Sequence, residues 1–597
     1  MTTPVAPQPK RAGSSWFRSS RSSTPAPEQQ LSKQLEQTGL GESSAAGGGE
    51  GDEGGELGDL AGVGDELQGE TETEAGKFKV LLGILRKTIS IKDLTSVRIS
   101  LPASMMEPIG NLEHWTYIDR PDYFAAMGVE DDELERFLGV LRWLWTKELK
   151  FAKHPIAKPF NSILGEHFHC YYDTPVLALH PKTGLPAPTV HLDENPHNDV
   201  VASAGRASSS NGTAAAALKS SPSVTSINSL SSGKLKSEAV LPSSASTTSA
   251  RSGKSVASSA ASFKSTAGAE DAGTARVVIV NEQTSHHPPI SHFLVEARVE
   301  GSDGKKRTVR CRGVDQLSAK FTGANVKIMP GPHNHGLFVE LPERNEEYQI
   351  THPTAAVAGL LRAAPYATIC DSTFVSVGPA DPEQRKKEKA EAATPEGQKR
   401  RRLRAILTYT EESWISRPRF LVEGVVYQSS PNEAASRGGA VEGEDKRFTR
   451  IKDVPKERVV GTLTGNWRGE IKWQPVGGSA TTLVDLLPLA VVPKAVAPLS
   501  DQDDLETRKV WAPVCEALLK KEYSVASKEK MRIEQEQRDR AEERKKNGET
   551  YRPTYFEPEP EDVADWDGRP RLSAAGLAAL ERDFKAEYSV EPMVKSD

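Results

Sequence analysis

The sequence predicts a mainly β (α+β) fold, a barrel or sandwich of many short strands with flanking helices and interrupting tracts that form no core. Three observations carry this prediction. After about residue 160 the chain falls into short runs rich in β-branched and aromatic residues, separated by Gly, Pro and Asn. Helical periodicity is confined to segments before and after those runs. Two long tracts are too polar to bury the apolar surface that would offset the entropy of ordering them.

Residues 1–75 read as a disordered, acidic, Gly-rich leader: from Gly41 to Ala75 there are 11 Gly and 11 Asp or Glu, and no Lys or Arg. Its one distinctive patch, Ser14 to Ser23 with Trp16, Phe17, Arg18 and Arg21, is either an anionic-membrane contact, a modification site or plain solvated tail. In the next segment, 76–95, Phe78, Leu81, Leu82, Leu85 and Ile89 recur at helical spacing among Lys77, Lys79, Arg86 and Lys87. Such a segment packs on its own protein or lies at a bilayer interface, and the spacing leaves both open. Residues 96–200 form the first part of the main domain. Within it, acids at 130–133 open a helix over Asp131–Ala152, with Leu134, Phe137, Leu138, Leu141 and Leu144 on its core face.

Strands are expected at His167–Tyr172, Ala275–Val280, His292–Val299, Thr308–Cys311, Val326–Ile328, Leu337–Glu340, Tyr348–Thr351, Arg404–Tyr409, Arg419–Tyr427 and Val459–Gly465. Between the first two lies a Ser-rich insertion, 201–273, with 22 Ser and one aromatic, Phe263, up to Glu270. It reads as a disordered loop, since closure cost grows only logarithmically with length. The remainder of the domain runs over 274–556. Within it the charged stretch from Ala380, ending in Lys399–Arg402, reads as a solvated hairpin loop rather than a nuclear signal or lipid contact. From Leu505 the chain turns helical again, and residues 557–597 form a C-terminal tail with a helix.

Charge excludes bulk nucleic-acid binding: 76 Lys plus Arg stand against 82 Asp plus Glu, a net charge of −6. No run approaches the ~18 apolar residues of a spanning helix, and the first ten residues lack the apolar core of a signal peptide. A soluble, cytosolic protein is the expectation. Four Cys, at 170, 311, 370 and 515, are too scattered for a disulfide framework or zinc ribbon.

Signatures of nucleophile elbows, P-loops, dinucleotide folds and zinc peptidases are missing, so an enzyme is not expected. The unusual segment is Val278–His292, where a β-rich lead runs into His286 and His287 and two Pro stop a regular ladder. Adjacent side chains on extended chain point to opposite faces, so the two His converge only if the Pro-Pro turn bends them together. Imidazoles beside a Ser hydroxyl suit an anion such as phosphate. A structural turn is one alternative. A metal site completed by His292, His333 or His335 is the weaker one, because no carboxylate or Cys stands at ligand spacing. Lys158 and Asn161 lie three apart on a Pro-constrained segment, and Lys530, Glu534 and Arg538 at i, i+4 and i+8 share a helix face, as a surface salt-bridge ladder also would.

Glu282-Gln-Thr-Ser-His-His-Pro-Pro289 resembles the fingerprint of the oxysterol-binding protein family of lipid-transfer proteins, with Thr284 where many members carry Val. Lys158-Pro-Phe-Asn-Ser-Ile-Leu-Gly-Glu166 resembles a second family block, departing from it at Ser162. Lys530-Met-Arg-Ile-Glu-Gln-Glu-Gln-Arg538 resembles the family's C-terminal helix, followed by the aromatic run Tyr551–Phe556.

The resemblance implies a large incomplete antiparallel β-barrel around a hydrophobic lipid tunnel, with an N-terminal lid. It implies a sterol or phosphatidylserine in the tunnel, exchanged for phosphatidylinositol 4-phosphate between membranes, and no other cofactor. By motif, His286 and His287 would contact the 4-phosphate, Lys158 and Asn161 the inositol phosphate face, and Lys530, Glu534 and Arg538 would complete the headgroup site. Phe78, Leu81, Leu82 and Leu85 fall where the family has its lid. The partners expected are lipids and membrane surfaces of the ER, Golgi or plasma membrane, met transiently by a monomer. The rival reading is a lipid-sensing scaffold that recruits partners through its disordered segments.

Overall fold

The β-like runs assemble into two antiparallel sheets. Chain order gives β1 (His167–Pro175), β2 (Gly273–His286), β3 (Pro289–Gly301), β4 (Lys306–Asp315), β5 (Leu317–Phe321), β6 (Val326–Pro330), β7 (Leu337–Leu341) and β8 (Glu346–Ile350). After these come β9 (Thr354–Ala358), β10 (Tyr366–Cys370), β11 (Ser372–Pro379), β12 (Arg402–Tyr409), β13 (Leu421–Ser429), β14 (Val459–Asn466), β15 (Glu470–Pro475) and β16 (Thr481–Asp485). Twelve strands form one sheet in the order β1-β2-β3-β4-β7-β8-β11-β12-β13-β14-β15-β16, and the other four form a second, β10-β9-β6-β5. The computed structural model describes residues 106–153, 158–176, 273–588 and 590, apart from 302–303, 322–324, 360–365, 392–393, 397–399, 413–416, 430–447 and 561. The expected lid residues Phe78, Leu81, Leu82 and Leu85, the leader and most of the Ser-rich tract lie outside the described residues.

Among the described residues two single-turn helices, Asn111–His114 and Lys150–Lys153, and two longer ones, α1 (Pro121–Ala126) and α2 (Glu133–Thr146), precede the sheet. Asp132 caps α2, accepting the Glu135 amide at 3.0 Å. The helix expected to run on to Ala152 stops at Thr146, because Asp119 Oδ2 accepts the Lys150 amide at 2.8 Å and starts a separate turn, Lys150–Lys153. Phe124, Phe137, Leu141 and Trp143 of these helices share one apolar cluster with Phe168 and Tyr172 of β1 and with Leu483 and Val484 of β16. First and last strands of the large sheet thus cover the same interior without pairing to each other, which makes an open barrel wrapped on α2.

The outer edge of β1 is not bare. The His167 amide donates to the Leu505 carbonyl, and Tyr171 exchanges both backbone bonds with Ala495 at 3.0 and 2.8 Å. The charged stretch expected as a solvated loop carries a helix, α3 (Pro382–Glu391), between the paired strands β11 and β12. It is stitched down by Glu388, which accepts Arg400 at 2.9 Å and Arg402 at 2.7 Å. After the sheet come α4 (Thr507–Leu519), α5 (Tyr523–Asn547) and α6 (Ala574–Lys585). Ser573 caps α6, whose Leu580 packs with Val278, Val280 and Leu294 on the outer face of β2 and β3. No helix among the described residues is long and apolar enough to cross a membrane.

Register explains how a long insertion is accommodated between β1 and β2. Pro175 stands opposite Thr274, so the chain leaves the sheet and re-enters it at neighbouring positions. A hairpin there needs only a few residues. Replacing residues 202–270 by a short Gly/Ser linker is expected to change stability by only about 1 kcal/mol of loop closure. Thermal unfolding and liposome transfer of the deleted protein measure this, and loss of a cooperative transition would show that the tract contributes to the fold.

Candidate functional site

Three segments far apart in sequence meet at one end of the large sheet. The first is Lys158–Glu166, between the α2 region and β1. Its Phe160 is fully buried and stacks on Trp511 of α4, ring centroids 4.6 Å apart, while its backbone exchanges hydrogen bonds with Ile109 and Asn111. Gly165 turns the segment into β1 at φ +83°, a conformation that side-chain-bearing residues rarely adopt. Its amide donates to the Gln283 carbonyl, and the Gln283 amide donates back to Glu166, at 3.0 and 2.7 Å. These two bonds lay the segment along the second one, the end of β2.

There the ladder shifts register between Gln283 and Ser285, and the chain turns through a cis His287–Pro288 bond into β3. The turn does what extended geometry alone forbids: the His286 and His287 rings meet edge to face with centroids 4.5 Å apart. His286 Nδ1 lies 3.2 Å from the Ser162 carbonyl, next to Asn161. His287 is exposed.

The third segment is α5, polar on most of its circumference. Only Ala526, Lys530, Ile533 and Gln537 are buried, a single stripe facing the domain. Lys530 Nζ donates to Glu534 Oε1 at 2.5 Å, and Lys158 Nζ donates to Asn161 Oδ1 at 3.1 Å. The two ammonium groups feel each other. Burial first, then the charge of Lys530, pull the Lys158 amine down to about 8, against a smaller opposing effect of Glu534. A half-buried lysine and a buried one thus stand near the His pair, a concentration of cationic and imidazole groups.

Six of the seven candidate headgroup residues are thus brought together: Lys158, Asn161, His286, His287, Lys530 and Glu534. Arg538 lies two turns further along α5, exposed, with Nε donating to Gln535 at 3.1 Å instead.

Two acids that sequence reasoning quoted within motifs but gave no role hold the arrangement. Glu282 is fully buried and accepts the Tyr551 hydroxyl at 2.7 Å, the Thr554 amide at 2.7 Å and the Tyr555 amide at 2.8 Å, clamping the Tyr551–Phe556 run onto β2. Glu166, also fully buried, accepts the Ile163 amide at 2.9 Å and the Trp511 indole N–H at 3.2 Å. Desolvation raises its carboxyl to about 7, against the hydrogen bonds that favour the anion. Thr507 Oγ1 sits 2.9 Å from Glu166 Oε1 and 3.1 Å from the His167 carbonyl. A hydroxyl has one proton, so a Thr507 that donates to the carbonyl accepts from a protonated Glu166.

The folded-state value lies above the unfolded one of about 4.5. Glu166 therefore stabilises fully below pH ~4.5, and that contribution is lost as pH rises through about 7, up to roughly 3 kcal/mol. Glu166→Gln, which keeps the hydrogen-bond pattern of the neutral acid, is expected to flatten part of the fall in melting temperature between pH 5 and 8. A pH profile identical to wild type would remove Glu166 from that account.

The oxysterol-binding protein family model matches residues 80–182, 264–379 and 396–571, about two thirds of the chain. The chain belongs to the oxysterol-binding protein family. This is a family of lipid-binding and lipid-transfer proteins. Oxysterol-binding protein-like protein 1 of Schizosaccharomyces pombe is 37% identical over 535 residues, 87% of this chain and 93% of that protein. Among solved structures, the Osh1 ORD domain in complex with cholesterol aligns over 85% of this chain and 88% of its own, at 15% identity and TM-score 0.46. The Osh3 ORD in complex with PI(4)P from Saccharomyces cerevisiae aligns over 86% and 95%, at 14% identity and TM-score 0.46.

Proposed function

We propose that this oxysterol-binding family protein carries a sterol or phosphatidylserine inside its open barrel and exchanges it for phosphatidylinositol 4-phosphate between membranes, without covalent chemistry. The observation that carries the reading is the convergence of Lys158, Asn161, His286, His287, Lys530 and Glu534 from segments separated by more than a hundred residues. A phosphoinositide headgroup is polyanionic, and charge-assisted bonds from ammonium and imidazolium groups are the strong ones available to hold it. Asn161 offers its amide N–H to a sugar oxygen, and Glu534 orients Lys530. In this reading Arg538 swings from Gln535 to the phosphate when the lipid arrives.

The apolar interior shelters acyl chains or a sterol at ~25 cal/mol per Å² covered. Residues 76–95 act as the lid, a role that rests on the family resemblance and that their basic amphipathic spacing fits. The protein meets ER, Golgi or plasma membranes transiently, as a cytosolic monomer. The test is native mass spectrometry of the full-length protein with its co-purified lipid, followed by exchange between liposomes loaded with each lipid. A lipid complex whose cargo is displaced by phosphatidylinositol 4-phosphate is the expected result. A folded protein that extracts neither lipid would overturn the proposal.

A further inference from the structure

Away from the candidate headgroup residues, β1 presents a second constellation. His167 and His169 are two apart on a strand, so both imidazoles project from one face. Both are buried, and their rings lie 5.5 Å apart with the Tyr555 ring 4.8 Å from one and 4.6 Å from the other. Glu506, buried just before α4, closes the group: the ligand atoms of His167, His169 and Glu506 all fall within 4.8 Å of one another.

The hydrogen bonds leave the donor atoms pointing inward. His167 Nδ1 lies 3.2 Å from the Gly165 carbonyl, which only accepts, so Nδ1 carries the proton and Nε2 faces the carboxylates. Such a carbonyl is the usual partner behind a metal-bound imidazole. Glu506 Oε1 accepts the His169 amide at 3.0 Å, leaving Oε2, 3.3 Å from His167 Nε2, for a second partner. His169 Nδ1 pairs with Asp583 Oδ2 of α6 at 3.5 Å, and its buried Nε2 makes no hydrogen bond. Asp503 Oδ2, on an exposed side chain, lies 2.9 Å from His167 Nε2 and provides both a fourth ligand and a way in from solvent.

We propose that His167, His169 and Glu506, with Asp503 or a water in the fourth position, bind a divalent transition cation, zinc by ligand type. Two imidazoles and a carboxylate form a borderline N/O set that suits zinc better than magnesium or calcium. The ligand atoms close to the ~3.4 Å separation of a tetrahedron with ~2.1 Å bonds by side-chain shifts of about 1 Å. The cation joins β1 to the start of α4, and through the Tyr555 wall it braces the segment that Glu282 clamps. Its role is structural, independent of which lipid the protein carries. The sequence points to no metal because no carboxylate or Cys stands at ligand spacing near the paired His and His292, His333 or His335; the usable signal is the His-x-His spacing within a strand.

The test uses untagged full-length protein stripped with a chelator. Zinc titration is expected to load one equivalent and raise the melting temperature, and cobalt is expected to give visible d–d bands of a four- or five-coordinate N/O site. His169→Asn is expected to weaken zinc binding at least tenfold, Glu506→Gln to weaken it too, and His333→Gln to leave it unchanged. Failure of wild type to take up zinc or cobalt would overturn the proposal and leave the cluster a network of His–carboxylate ion pairs. Undiminished binding in folded His169→Asn would overturn it as well, placing the cation elsewhere.

Discussion

Alanine at His286 and His287 together is expected to abolish extraction of phosphatidylinositol 4-phosphate from liposomes while leaving uptake of the second lipid nearly unchanged. Each imidazolium contact to a phosphate is worth ~1.5–3 kcal/mol, so losing two costs roughly 10²- to 10⁴-fold in affinity. His287 is exposed, and the hydrogen-bond contact of His286 to the Ser162 carbonyl, at 3.2 Å, contributes about 1 kcal/mol. A lipid without that phosphate makes no use of either ring. Extraction assays with each labelled lipid, run beside circular dichroism of the variant, read the outcome. Parallel loss of both lipids from a folded double variant would assign the rings to the turn and not to a headgroup.

Glu282→Ala should be among the most damaging single changes in the domain. The side chain is fully buried and accepts three hydrogen bonds, so truncation leaves the Tyr551 hydroxyl and the amides of Thr554 and Tyr555 without their acceptor. The expected cost is about 3–5 kcal/mol, much of it the desolvation of those stranded donors. Burial and the charge of Glu282 also hold the Tyr551 phenol far above its ordinary range, so it stays a donor at any physiological pH. Glu282→Gln keeps one oxygen in place and should fall between wild type and alanine. Urea midpoints give the order directly. An alanine variant as stable as wild type would mean the Tyr551–Phe556 run is held by packing alone.

The long helices α2 and α5 were legible because they depend on local pattern, whereas α3 was read as a loop and the candidate site residues were picked out by their motifs. Acids at 130–133 and the Leu134–Leu144 spacing announce α2, and the i, i+4 offset of Lys530 and Glu534 puts them in contact once α5 forms. Strands built from Val, Ile and Tyr were visible for the same reason. Others were not: β9 reads Thr-Ala-Ala-Val-Ala and lacks a strand signature, and β15 alternates Ile471 and Trp473 inward between charged residues too briefly to register. The stop in α2 at Thr146 was hidden because the residue that ends it, Asp119, lies 31 positions from Lys150. Glu282 and Glu166 were hidden in a different way. Both stood inside motifs, but apart from the Ile163 amide on Glu166 their donors lie 269 to 273 and 341 to 345 positions away, and no window on the sequence connects them.

The meeting of three distant segments has a consequence for how the molecule comes into being. Along the large sheet from β11 to β16, each strand pairs with its neighbour in sequence, so this part can zip up as it leaves the ribosome. The candidate headgroup residues cannot. Lys530 follows Lys158 by roughly 370 positions, and at ~5–20 residues per second the first half of the cluster waits about 20–75 s for the second. Through that interval the outer edge of β1 also lacks Ala495 and Leu505, leaving its backbone groups open to other strands. A nascent or prematurely terminated chain therefore holds a large folded sheet with an unsealed rim and an unfinished cluster, and whatever guards the protein during synthesis has to guard that rim.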